Sequence, residues 1–406
     1  MEHEKLTIKE TSYSVNVSGS KVDSLRVKQD LKTVIRVYDD GKIGVAGRIG
    51  EGDDGALLEE AKAKLAQNIA YPCNLAENQK REENKIKNII AEKDYVKTLK
   101  KLIARLSECY PDFVFSNKIN MGEEEIVYEN SKNTKYSYKG NDIGGALVIK
   151  DKASANIMDL SYGFNKTCYD EDKIVSDIGK LLNVYHKKVG MPEGEIPVII
   201  NAMEVMQYVA QHMVAELYVS GSSLLSGKLG EKIFDGKVNI LTDRAQADKS
   251  IAFFDTEGVV NKDDKFYFVK DGVFTGVATY KRSSANFSLP LSGGGYAPFD
   301  EVPQTSFTGF KAARTDELKN LVKGKAIYVV ITSGGDMTPD GTLGLPVQLA
   351  YLYENGKLVG KLPEFGIKGN LFELLGKDFI GIARDAVFDF ADDNVLVAKF
   401  KVNNVK

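Results

Sequence analysis

The spacing of apolar and polar positions changes several times along the 406 residues, and each change marks a structural element. Thr33-Val34-Ile35-Arg36-Val37-Tyr38 is dense in β-branched residues, and Lys42-Ile43-Gly44-Val45-Ala46 follows after Asp40-Gly41. Two such runs joined by Asp-Gly predict a β-hairpin, because that dipeptide tolerates the positive φ angles of a tight turn. From Ala56 to Ala70 the positions Leu58, Ala61, Leu65 and Ile69 keep three- and four-residue spacing, which predicts a helix with one buried face. A second helix is predicted from Asp94 to Cys109 on Leu99, Leu102, Ile103 and Leu106. A third runs from Glu171 to Lys187 on Ile174, Ile178, Leu181 and Leu182. The polar segment Tyr71–Lys93 reads as a helical extension or a mobile insertion. Short strands are predicted at Phe113–Phe115, Glu125–Tyr128, Lys135–Tyr138 and Gly144–Ile149.

Gly190-Met191-Pro192-Glu193-Gly194-Glu195 has loop composition and is read as a domain boundary. It divides the chain into an N-terminal α/β domain, residues 1–190, and a C-terminal strand-rich domain, residues 195–406. The second part opens with a strand, Ile196–Ile200. An amphipathic helix follows on Val205, Met206, Val209, Met213 and Leu217. Strand candidates then dominate: Val238–Leu241, Phe266–Val269, Val273–Tyr280, Ala326–Ile331, Val347–Tyr353, Lys357–Val359 and Val395–Phe400. Asn355-Gly356 is the clearest hairpin turn among them. Strands outnumber helices and do not alternate with them, so the fold class is α+β with mainly antiparallel sheets.

Composition narrows the chemistry. There are 3 histidines, 3 cysteines and no tryptophan, too little material for a Cys₄ zinc site or a histidine-rich cage. Cys73, Cys109 and Cys168 are few, odd in number and far apart, which suits a reducing cytosol. Lys+Arg 54 against Asp+Glu 57 gives a net charge of −3, with no electrostatic footprint for nucleic acid. No apolar run reaches the roughly 18–20 residues of a membrane helix. Met1-Glu2-His3-Glu4-Lys5 is not laid out as a signal peptide, so a cytoplasmic location is expected, with no nucleic-acid or membrane partner.

Several motifs have plainer readings. Gly50-Glu51-Gly52-Asp53-Asp54-Gly55 fits G-x-G-x-x-G, but three carboxylates would repel a pyrophosphate. Acids at a helix N-terminus, favoured by the dipole, explain it better. Ser292-Gly293-Gly294-Gly295 is a flexible loop or a site where backbone N–H groups meet a peptide. Thr332-Ser333-Gly334-Gly335-Asp336 has the same ambiguity. Asp255, Glu257, Asp263 and Asp264 are irregularly spaced and read as surface turns. Ser220, Ser222, Ser223 and Ser226 sit in no nucleophile elbow. His3 is expected in a frayed terminus and His186 at a helix end. His212 has Glu216 four residues on, where a carboxylate can orient an imidazole.

The second half carries an ordered series: Ser226-Gly227-Lys228-Leu229-Gly230-Glu231-Lys232, Phe254-Asp255-Thr256-Glu257-Gly258, Val269–Gly276, Ser283-Ser284-Ala285, Ala350–Gly360 and Gly369-Asn370-Leu371. This series resembles the TldD/PmbA family, the so-called modulators of DNA gyrase. With Val37–Ala46 and its following helix, the resemblance covers nearly the whole chain. It implies one subunit type that is a zinc peptidase with an H-E-x-x-x-H helix, and a PmbA (TldE) type that lacks those residues. Counting back from Ser222-Ser223, the motif falls on Met206–Gln211. Met206 and Gln211 stand for the histidines and Gln207 for the glutamate. Methionine and glutamine are poor zinc(II) ligands, and glutamine cannot act as a base.

The resemblance therefore implies a PmbA-like chain with no catalytic residues, no metal and no cofactor of its own. Zinc is expected only in a TldD-like partner subunit. It implies a dimer, with such a homologue or with itself, acting on peptide or unfolded protein. Ser292, Gly293, Gly294 and Gly295 are the candidate peptide-binding loop. Two other readings stand beside it. One is an independently active peptidase using Asp255, Glu257 or His212, and the other is a homodimeric binding or regulatory protein. Nothing in the charge pattern supports contact with DNA.

Overall fold

The structure, a computed structural model, describes residues 1–246, 249–385, 387 and 394–404. Its first half is organised by two long hairpins. β1 (Glu2–Ser18) turns at Gly19-Ser20 into β2 (Lys21–Asp39), and β2 turns at Asp40-Gly41 into β3 (Lys42–Ile49). Asp40 and Gly41 both have positive φ, as the Asp-Gly signal requires. α1 (Asp54–Ala63), β4 (Ile69–Ala70), β5 (Lys80–Lys85) and α2 (Glu92–Cys109) follow. β6 (Phe113–Asn130), β7 (Lys135–Asp151), β8 (Leu160–Lys166) and α3 (Glu171–Leu182) complete this half. The sheet order is β4-β3-β2-β1-β6-β7-β5, with β8 also paired to β7.

Alternation along β2 decides what each face does. Ile35 and Val37 meet Leu57 and Ala61 of α1, while Val34, Arg36 and Tyr38 point to the opposite face, towards the second half. α1 lies so close to β3 that a Cβ on Gly44 would stand 2.0 Å from the Ala61 carbonyl oxygen. Asp53 caps α1 by accepting from the Gly55 N–H at 2.9 Å, so the glycine-rich motif is a turn and a helix cap. α2 and α3 cover Val15, Phe115, Ile119 and Leu147, and the same core continues into Ile199, Tyr328 and Tyr351 of the second half.

Four expectations are corrected here. His3 is not frayed: it lies in the central strand β1, opposite Val37 of β2. The run of serine, threonine and lysine in β1 hid that strand, because neighbours on both sides supply its burial. The helix expected at Ala56–Ala70 ends at Ala63. A short 3₁₀ turn, Lys64–Gln67, and left-handed Asn68 then lead into β4. Tyr71–Lys93 is not a helical extension: only Glu92 and Lys93 belong to α2, and β5 runs parallel to β7 from Lys80↔Lys135 to Lys85↔Gly140. The third helix stops at Leu182. His186 beyond it pairs with Asp151 at 2.9 Å and stacks on Phe113 instead of capping the helix.

The second half opens with β9 (Val198–Asn201), α4 (Met203–His212) and α5 (Ala215–Val219). Then come β10 (Ile240–Asp243), β11 (Lys265–Lys270), β12 (Val273–Phe274), α6 (Lys281–Phe287), β13 (Gly295–Tyr296), β14 (Gln304–Thr305) and β15 (Phe310–Ala312). α7 (Leu318–Leu321), β16 (Lys325–Thr332), β17 (Asp336–Met337), β18 (Thr342–Glu354), β19 (Lys357–Lys361) and β20 (Phe365–Asn370) follow. α8 (Leu371–Leu374), β21 (Phe379–Arg384), β22 (Asn394–Ala398) and β23 (Lys401–Asn404) end it.

The main sheet is ordered β21-β22-β9-β16-β18-β20-β23, with β17 and β19 also on β18. Among the described strands two pairs run parallel, β5 with β7 in the first sheet and β9 with β16 here, and the others run antiparallel, so the α+β, mainly antiparallel class holds. A smaller sheet, β12-β11-β10-β15, stands beside α4. The strand expected at Val273–Tyr280 pairs with β11 through Val273 and Phe274, and beyond them Ala278 makes an isolated bridge to Val214. No helix among the described residues is long and apolar enough to cross a membrane.

Val205, Met206, Val209 and Met213 share one core with Val198, Ile200, Leu343 and Leu345. Met213 is completely enclosed, so Met213→Ala is expected to destabilise the fold by about 2–5 kcal/mol and Val209→Ala by less. Urea denaturation reads both; unchanged midpoints would mean that α4 does not pack on this sheet.

Candidate functional site

A cleft of about 590 Å³ opens along α4. On a helix, residues three and four apart share a face, so Met203, Gln207, Ala210 and Gln211 form one stripe. That stripe lines the cleft. Phe307 and Phe310, beside and within β15, form the facing wall, and Asp142 and Asn165 reach it from the first sheet. The walls are largely apolar, with primary amides and the charged Asp142, Lys249 and Lys311 set among them, the make-up of a ligand cleft.

Two of the three positions assigned to the family's metal motif, Gln207 and Gln211, face this cleft, and among the described residues neither amide has a hydrogen-bond partner. Met206 does not: it points the other way, 0% exposed in the core. A zinc ion placed here would meet glutamine amides and the Met203 thioether, which are weak donors for zinc(II). His212 offers no remedy. Its Nδ1 accepts the Leu224 N–H at 3.1 Å, and burial lowers its pKa. The expected pairing with Glu216 fails because α4 ends at His212 and a new helix begins at Ala215. Nε2 of His212 and Oε2 of Glu216 are both enclosed without partners. Among the described residues no three His, Cys, Asp or Glu side chains converge as a metal site. The residues present do not fit zinc.

The loop Ser292–Gly295 is buried, not open to a peptide. Ser292 exchanges hydrogen bonds with Thr279, Gly294 N–H donates to the Thr279 carbonyl, and Gly295 N–H donates to Asp255 Oδ2 at 2.8 Å. The backbone N–H groups of Ser292, Gly294 and Gly295 are already used inside the protein. The serine cluster is also structural: Ser223 Oγ donates to the His212 carbonyl and Ser226 Oγ to that of Tyr218. Thr332 Oγ1 donates to Glu204, and the Gly335 carbonyl accepts from Tyr208 at 3.0 Å, tying that loop to α4.

Asp255 and Glu257 are not surface turns. They are buried at the seam between the two halves, inside a cluster that sequence reasoning missed. Glu4 from β1 is 1% exposed and Arg36 from β2 is 0% exposed. Glu4 Oε1 accepts from Arg36 at 2.8 Å and from Tyr38 at 2.9 Å. Its Oε2 accepts from Tyr128 at 2.8 Å and lies 3.5 Å from Lys281 Nζ. Arg36 also donates to the carbonyls of Thr256 and Ala297. Glu257 Oε1 accepts from Tyr71 at 2.5 Å, and Oε2 from the Lys281 N–H at 3.0 Å. Asp255 accepts three backbone N–H groups, from Glu257, Val259 and Gly295. A Cβ on Gly295 would stand 2.3 Å from Glu257 Oε2. The one signal available was parity: Arg36 shares its strand face with Val34 and Tyr38. Enclosed and fully bonded, these carboxylates hold the halves together and present no face to a substrate.

Their titrations oppose each other. Burial pushes the Glu4 carboxyl up, but Lys281 and Arg36 outweigh it and hold its pKa below the ordinary 4.5. Its contribution is thus present above pH 4.5 and is lost as pH falls through the lowered value. Burial, then the Asp255 carboxylate, push Glu257 up to about 7, so its ionisation drains stability as pH rises from 4.5 towards 7. Glu4→Gln leaves Arg36 and Lys281 without their shared carboxylate and is expected to cost about 3–5 kcal/mol at neutral pH. Glu257→Gln should flatten the decline between pH 4.5 and 7. Urea titrations across pH check both, and an unchanged slope in Glu257→Gln would contradict this assignment.

Comparison with known proteins adds a family. Residues 193–406 match the model described as the PmbA/TldA metallopeptidase C-terminal domain. A metalloprotease of Archaeoglobus fulgidus is 26% identical over 276 residues, 65% of this chain and 62% of that protein, so the match spans less than two thirds of the relative. The zinc metalloprotease TldD homolog of Saccharolobus solfataricus is 23% identical over 74% of this chain and 70% of its own. The fold is shared with TldE from Thermococcus kodakarensis, at TM-score 0.84 and 18% identity over 99% of this chain and 97% of that one. It is shared too with a Thermotoga maritima protein labelled a modulator of a DNA gyrase, at TM-score 0.78 and 16% identity over 100% and 96%. The chain belongs to the PmbA/TldD family.

Proposed function

We propose that this chain is a PmbA/TldE-like, non-catalytic subunit of a TldD/PmbA-type zinc-dependent protease. It shapes the chamber that receives extended or unfolded peptides. The observation that carries this reading is the cleft-facing stripe of α4, where Gln207 and Gln211 stand at the positions the family resemblance gives to a metal ligand and a base. A primary amide both donates and accepts, so two unpartnered amides above apolar walls suit a peptide backbone better than they suit zinc. The likeness to a zinc metalloprotease TldD homolog and to TldE supports the same reading. Zinc and the catalytic base would come from a TldD-like partner, or the chain would pair with itself and bind peptide without cleaving it. The independent-peptidase reading loses its candidate acids, because Asp255 and Glu257 are enclosed.

Elemental analysis of the purified chain, alone and co-expressed with a homologue carrying H-E-x-x-x-H, tests the proposal. The isolated chain is expected to hold well under one zinc, and chelator-sensitive peptidase activity should appear only with the homologue. One tightly held zinc per isolated chain, lost in His212→Ala, would sink the proposal. So would robust chelator-insensitive cleavage by the chain alone.

A further inference from the structure

A second cleft, about 630 Å³, opens on the seam between the two halves, away from α4. One wall is the start of β5 and the residue before it, with Gln79, Lys80 and Arg81. The other is the turn Gly258–Lys262, with Lys281 from α6. Four cationic side chains line it, and no carboxylate does among the described residues.

The four cations are not equivalent. Arg81 is fixed by two contacts of 2.6 Å to Asp264, by Glu83, and by Phe253 beneath its guanidinium at 4.0 Å. It stiffens the wall and has little left to offer a ligand. Lys281 is 5% exposed, and its Nζ donates to the Glu257 carbonyl at 2.7 Å with Glu4 at 3.5 Å. An ammonium has three N–H bonds, so at least one remains for the cleft it lines. Lys80 and Lys262 form no ion pair among the described residues. The Gln79 side-chain amide is likewise uncommitted. Lys80 and Lys262 thus bring two unpaired ammonium groups to the cleft lining, with a third ammonium buried behind them, and together they concentrate positive potential there.

We infer that the seam cleft binds a small oxyanion, a carboxylate or a phosphoryl group. Both present the compact negative charge that ammonium groups match as point charges. The inference does not depend on the peptidase reading, since the cleft shares no lining residue with the one along α4. Because its walls come from both halves, a bound anion would brace the seam, and binding to the folded state alone raises its stability.

Isothermal titration of the full chain with inorganic phosphate, and separately with an acetylated tri-glutamate peptide, tests this at constant ionic strength. Glycerol serves as the neutral control. Saturable binding of at least one anion is expected. It should weaken at least tenfold in the double variant Lys80→Glu/Lys262→Glu and to a smaller degree in Lys80→Gln/Lys262→Gln. Both lysines are exposed and unpaired, so the ligand-free melting temperature should hold in the glutamine variant. Tighter phosphate binding would identify a phosphoryl ligand, and tighter peptide binding a carboxylate. No saturable binding of either anion, or the unaltered chain's affinity retained in both double variants, overturns the inference.

Discussion

The Glu4 carboxylate, with Arg36 and Lys281 around it, is the contact on which the rest of the molecule closes. Taking an ion out of water costs several kcal/mol unless charge and hydrogen bonds replace the lost solvent. Here they come to Glu4 of β1 from β2, β6 and α6 together. Arg36 then reaches the carbonyls of Thr256 and Ala297, and Tyr71 reaches Glu257. A sliding apolar interface could tolerate several registers, but this one cannot, because a shift would strand a buried charge. Arg36 Nε is already enclosed without an acceptor, which shows how little slack is left.

With the seam fixed, the cleft along α4 acquires its second wall. α4 contributes the stripe from Met203 to Gln211, and the first sheet contributes Asp142 and Asn165. Their separation is held by the buried cluster together with the core that runs from Val15 and Phe115 into Ile199 and Tyr328. The buried stripe of α4, with Met206 and Val209, holds the helix in place, while Gln207 and Gln211 are free to meet a ligand. Support and presentation are thus divided between two faces of one helix of ten residues.

Much of this was legible in the sequence. The Asp40-Gly41 and Asn355-Gly356 hairpins, the faces of α2 and α3 and the antiparallel second half follow from local period and turn chemistry. The strand β1 and the far end of β2 did not show themselves, because their polar residues are made strands by neighbours distant in sequence. The same limit hid the buried cluster. Glu4, Arg36, Asp255, Glu257 and Lys281 look like surface residues singly, and only tertiary pairing makes their burial tolerable. The motif positions Gln207 and Gln211 could be located by family resemblance. That Met206 turns inward required the phase of the helix against its sheet.

The seam also sets an order of events during synthesis. Arg36 and the Thr256 carbonyl it bonds are 220 residues apart. A ribosome therefore delivers the first sheet, with Glu4 and Arg36 on its open face, long before their remaining partners exist. Until then the ion pair stays hydrated, and the face around Val34 and Tyr38 stays uncovered. Contacts of such long range form late and slowly. The nascent first half thus carries a partly apolar, partly charged surface whose natural cover is the rest of its own chain.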